Sequence, residues 1–67
     1  MLKLAGEIKV GDNILWDGVP VRVLHADKYR TAMLPGVQVE LMVTGTLDGE
    51  TFSAATVVDA GDAVIMA

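Results

Sequence analysis

Apolar and polar residues alternate with a period of two along much of this chain, and no stretch keeps the 3.6-residue period of an amphipathic helix. Ile8 and Val10 alternate with Glu7 and Lys9, which predicts a short first strand ended by Gly11-Asp12-Asn13. Asn13 to Trp16 and Val19 to Leu24 flank Asp17-Gly18, a pair able to take the positive-φ geometry of a tight hairpin turn. Pro20 cannot donate to a ladder, so it marks an edge position or the first residues of its strand. Val37, Val39, Leu41 and Val43 form the clearest alternating face, with Gln38, Glu40, Met42 and Thr44 expected on the other side. Leu47-Asp48-Gly49-Glu50 predicts the next turn, Thr51 to Val58 the returning strand with Phe52, Ala54 and Val58 inward, and Ala63 to Met66 a last short strand. Five or six short antiparallel strands with tight turns predict a small all-β barrel, read as one domain over residues 1–67.

One stretch breaks the alternation. His25 to Gly36 mixes charge, an aromatic ring and apolar residues and closes on Pro35-Gly36, which reads as a long loop or an extended hairpin arm.

Composition narrows the picture. A 67-residue chain with no cysteine and one histidine has neither a disulfide nor a closed zinc site to support its small core. Its 52% hydrophobic content therefore makes an efficient core or leaves apolar surface for self-association, so a homo-oligomer is one expectation. No uncharged apolar run is long enough to span a bilayer, and the start does not read as a signal peptide. The expectation is a soluble, cytoplasmic protein with no membrane partner. Charge is uneven: all five basic residues, Lys3, Lys9, Arg22, Lys28 and Arg30, lie before residue 40, whereas Glu40, Asp48, Glu50, Asp59 and Asp62 follow with no base among them. The net charge of −4 opposes a polyanion, so nucleic acid would have to meet a local basic patch.

Val10-Gly11-Asp12, then Ile14 to Val23, a long loop, a strand pair joined by Leu47-Asp48-Gly49, and Thr51-Phe52-Ser53 together resemble the N-terminal SH3-like, KOW-type domain of translation elongation factor P. They also resemble the corresponding domain of the hypusine-carrying initiation factors. The likeness runs over about residues 8 to 64 and implies an SH3-like β-barrel. In that family the long loop carries a modified lysine in a glycine-rich tip. Here Tyr29 to Gly36 has no lysine and no glycine cluster at its tip, and Lys28 near the base does not match. The resemblance thus carries over the fold, none of the functional residues, and no translation-factor activity.

Candidate chemistry is sparse. His25 and Asp27, with Ser53 as a distant nucleophile, lack an oxyanion motif, and the acids fall singly in turns. No catalytic residue, cofactor or metal ligand set is expected. Trp16, Tyr29, Met33 and Leu34 are anchors of a kind favoured at protein interfaces, unless the loop folds over one barrel end and these side chains plug it. Arg22, Lys28, Tyr29 and Arg30 form the basic and aromatic cluster that could track a phosphate backbone and stack on a base. The leading expectation is a non-catalytic module for protein binding or self-association, of the kind encoded by bacteriophages and mobile elements. The alternative is an RNA- or DNA-contacting KOW-like domain using Arg22, Lys28 and Arg30.

Overall fold

The computed structural model describes residues 1–67 and contains six strands and one short 3-10 turn. The strands are β1 (Leu2–Leu4), β2 (Asn13–Trp16), β3 (Val19–Thr31), β4 (Leu34–Leu47), β5 (Glu50–Asp59) and β6 (Ala63–Ile65), with the 3-10 turn at Ala5–Glu7. β2 to β5 form a four-stranded antiparallel meander, and β1 pairs with β6. The ring closes through backbone bonds. The Ala5 and Gly6 N–H groups donate to the Asp62 and Ala60 carbonyls in the turn between β5 and β6, and Met66 bridges to Ile14 on β2. The result is a small SH3-like β-barrel, and no helix is long and apolar enough to cross a membrane.

Two turns set the meander. Asp17-Gly18 (φ 49° and 81°) and Asp48-Gly49 (φ 52° and 80°) both have two consecutive positive-φ residues, the geometry whose twist matches a two-residue hairpin. Both lie at the same end of the barrel, because β3 leaves from one and β4 runs into the other.

The core is made by one face of the curled sheet. Ile14, Val21, Val23, Val39, Leu41 and Val43 are buried along it, with Ala5 and Ile8 sealing one end. Phe52, Ala54 and Val58 are half-buried against them, on the inward side expected from the alternation.

Three local expectations are corrected. Glu7 to Val10 is not a strand: Ile8 is buried but Val10 is exposed, and the backbone turns where the Lys9 N–H donates to Asp12 Oδ2 at 3.0 Å. The first strand is instead Leu2–Leu4, whose pairing partner β6 lies at the far end of the chain. Gln38 points outward as its parity requires but is only 6% exposed, flanked in its row by Tyr29 and Asp59, and its Nε2 donates to the Pro35 carbonyl. The turn lies at Ala32-Met33, while Pro35 and Gly36 are unpaired extra residues of β4 between the Arg30–Val37 and Thr31–Leu34 pairs.

Asp12 also carries a pH dependence. The Lys9 N–H, and to a smaller extent the Lys3 ammonium at 3.5 Å, stabilise its charged form and hold its pKa below the ordinary 3.8, against an opposing desolvation. A carboxylate with a lowered folded pKa adds stability above its unfolded pKa and loses it as pH falls through the folded value. Asp12→Asn is therefore expected to be less stable than the parent at pH 7, with the difference shrinking below pH 3.8, as read from urea unfolding at several pH values. An equal difference at every pH would contradict a role for the charge.

Candidate nucleic-acid interface

The stretch that broke the alternation is a hairpin arm. β3 continues past its last β2 partner, Arg22, to Thr31, and β4 begins four residues before β5 joins it at Gln38, so the distal part of the arm has two strands only. The molecule is accordingly elongated, 40 × 23 × 18 Å.

Register decides which side chains share a face. Lys28 stands opposite Val39 and Arg30 opposite Val37, on the face that continues the barrel interior. Asp27 stands opposite Glu40, and Tyr29 opposite Gln38, which in turn faces Asp59 on β5. The arm is thus electrically two-sided. Its inner face carries Lys28 and Arg30, both exposed, while its outer face carries Asp27, Glu40 and Asp59 around Tyr29.

Arg22 is separated from the other two cations by a bulge. Val23 pairs with Val43 and His25 with Met42, leaving Leu24 as one extra residue. That residue reverses the parity of the strand. Arg22 therefore shares the outer face with Tyr29, in a row with Asn13, Thr44 and Ser53, and lines an open cleft of about 800 Å³ with Thr46 and Thr51. The candidate cluster of Arg22, Lys28, Tyr29 and Arg30 is divided between two faces. Lys28 and Arg30 are brought together; Arg22 and Tyr29 are not brought to them.

Lys3 Nζ pairs with Asp12 Oδ2 at 3.5 Å, and His25 Nε2 lies 3.5 Å from Glu40 Oε1. Lys28 and Arg30 have no carboxylate partner. Of the remaining acids, Asp17, Asp48 and Glu50 sit at the two tight turns, at the end of the barrel farthest from the arm tip, whereas Glu7 and Asp62 lie where the 3-10 turn meets the end of β5. Lys28 and Arg30 make the inner face of the arm a local basic patch on a chain of net negative charge.

The apolar anchors also separate. Trp16, half-buried, lines a cleft of about 430 Å³ with Ile14, Leu15, Val58, Val64 and Ile65, between β2, β5 and β6. Met33 and Leu34 are at the arm tip. The two groups lie at opposite ends of the 13-residue β3, which at roughly 3.3 Å per residue spans most of the molecule. Trp16 and the tip do not form one surface, and the tip does not plug the barrel, since Met33 is 88% exposed.

The remaining candidates are also placed. His25, Asp27 and Ser53 share the outer face, but His25 meets Glu40, and Ser53 lies one row away on β5. The stretch is the extended hairpin arm, one of the two forms expected for it, and the acidic outer face, which the sequence analysis did not single out, is signalled by the odd–even spacing of Asp27 and Tyr29 against Lys28 and Arg30.

No family model and no curated protein matches the chain. Among solved structures, it is similar to translation initiation factor 5A from Methanococcus jannaschii, with a TM-score of 0.79 and 20% identity, over 98% of this chain and 48% of that one. It is also similar to a translation initiation factor 5A family protein from Naegleria fowleri, with a TM-score of 0.78 and 12% identity, over 98% of this chain and 45% of that one. The chain spans about half the length of these proteins, and the likeness establishes the SH3-like barrel. Both are initiation factors, the second of the two groups that the sequence resembles. The expectation of a protein-binding or self-associating accessory module from a bacteriophage or mobile element is corrected by this finding: the proteins sharing its backbone are translation factors.

Proposed function

We propose that residues 1–67 are a single non-catalytic domain that contacts RNA in the cytoplasm through the inner face of the β3–β4 arm, with Lys28 and Arg30 on phosphates. The observation that carries this reading is the two-sided arm: two cations without carboxylate partners on one face, and three acids on the other. The shared architecture with translation initiation factors supports RNA as the partner class. A net charge of −4 is compatible with such contact because the acids of the outer face and of the tight turns point a polyanion toward the arm's inner face. Two phosphate contacts predict weak binding with a modest salt dependence.

Fluorescence anisotropy with an RNA hairpin carrying a single-stranded loop, from 50 to 200 mM salt, tests the proposal. Lys28→Ala/Arg30→Ala is expected to weaken binding and to flatten the slope of log K against log salt by about 1.4, the contribution of two single-strand phosphates. Arg22→Ala, on the opposite face, is expected to change the slope little. Failure of the parent to bind at 50 mM salt, or equal slopes for parent and double variant, would remove this reading.

A further inference from the structure

Gln38 is the one polar side chain among the buried residues, the others being apolar. A buried primary amide costs stability unless its polar atoms find partners, so its place in the fold has to be accounted for. Gln38 pairs with Asp59, the last residue of β5, and the Ala60 N–H then donates to the Val37 carbonyl at 2.9 Å before the chain turns away. Past that row the arm has two strands only. Next to it come the two unpaired residues Pro35 and Gly36, the latter at φ 78°. A ribbon that loses its third strand and takes on two extra residues at the same level is free to bend there.

Two side chains close that place. Gln38 Nε2 donates to the Pro35 carbonyl at 3.3 Å and ties the unpaired residues back to the barrel. Asp59, held by the Gly61 N–H on its Oδ1 at 2.8 Å, brings Oδ2 to 3.9 Å from where a Gly36 Cβ would stand. The cations of the inner face fall on either side of this row. Lys28 stands opposite Val39, which β5 still supports through Val58, whereas Arg30 stands opposite Val37, beyond the last β5 pair. A bend between them would change their spacing and relative direction without opening the barrel.

We propose that Gln38 is a positioning residue: its bond to Pro35 locks the arm onto the barrel and fixes the spacing of Lys28 and Arg30. The consequence for phosphate contact rests on the RNA-contacting reading above; the lock itself does not.

The chain has no cysteine, so spin labels on Met33→Cys and Glu50→Cys, toward opposite ends of the 40 Å molecule, report the direction of the arm in a pulsed electron double-resonance measurement. The parent should give one narrow distance distribution. Gln38→Met, of similar length, and Gln38→Glu, of the same shape, both lack the donor at pH 7, and each should broaden the distribution about twofold as the hinge is freed. Backbone amides from Tyr29 to Thr31 should exchange about fivefold faster in both variants, the effect of one net hydrogen bond, while those of Val23 and Val43 in the barrel keep the parent's rates. With the RNA hairpin, Gln38→Met should bind about threefold more weakly at the parent's salt slope, because both phosphate contacts remain available.

A broad distribution in the parent, or the parent's width in both variants, would overturn the lock. Equal acceleration of arm and barrel amides would overturn it too, and would make Gln38 a support of the whole core. A loosened arm with undiminished RNA affinity would remove the positioning role. If the parent binds no RNA, the phosphate-contact reading fails, and the distances still decide whether Gln38 locks the arm.

Discussion

Leu41→Ala is expected to cost about 2–5 kcal/mol and to leave a large fraction of the chain unfolded at room temperature. Leu41 is 2% exposed and sits on the central strand β4, between Ala26 on β3 and Thr56 on β5. Both flanking side chains are small, so neither can swing in to fill the space a leucine leaves. The whole cost of the cavity is then felt. A chain of this length has roughly 3–10 kcal/mol of total stability at 0.05–0.15 kcal/mol per residue, so the loss is comparable with the margin. Urea unfolding followed by Trp16 fluorescence measures it. A loss under about 1 kcal/mol would mean that the core collapses around the gap, contrary to the packing described.

Gly45→Ala is expected to destabilise by about 1–3 kcal/mol, for the opposite reason. Gly45 lies between Val21 and Phe52 in the β3–β4–β5 rows. A Cβ built there would stand 2.8 Å from Val21 Cγ1 and 3.0 Å from two ring carbons of Phe52. Real contacts of that kind are closer than van der Waals radii allow. The ring or the strand must shift, and a small barrel has few other contacts to absorb the movement. For a domain of this size each kcal/mol lowers Tm by about 4–8 °C. Adding Phe52→Leu to Gly45→Ala should make the combined loss smaller than the sum of the two single losses, because the ring that obstructs the new methyl is gone. Strict additivity would place the strain elsewhere.

Much of the barrel is legible in the sequence because its signals are local. Asp17-Gly18 and Asp48-Gly49 adopt the positive φ values that their residue types permit at low cost. Val39, Leu41 and Val43 are buried as their alternation requires, since one face of a curled sheet must leave water. The arm was harder to read. A two-stranded ribbon solvated on both faces imposes no hydrophobic alternation, so His25 to Gly36 offers only charge and turn residues, and Pro35-Gly36 draws attention from the real turn at Ala32-Met33. β1 is invisible for another reason: Leu2–Leu4 becomes a strand only because β6, some sixty residues away, pairs with it.

The candidate interface shows the same division. Which residues carry charge, that Lys28 and Arg30 are two apart, and that the tip lacks a lysine were all determined by the sequence alone. The tertiary structure decided that Arg22 leaves the group. Residues 22 and 28 have the same parity and would share a face on a regular strand, but the extra residue at Leu24 reverses that relation. Cross-strand register likewise decided that Asp27, Glu40 and Asp59 meet on one side, leaving the other to the two cations. Residue types and turns are properties of neighbours in the chain. The face on which a charge appears depends on pairing and bulges between strands, and these form only when the barrel does.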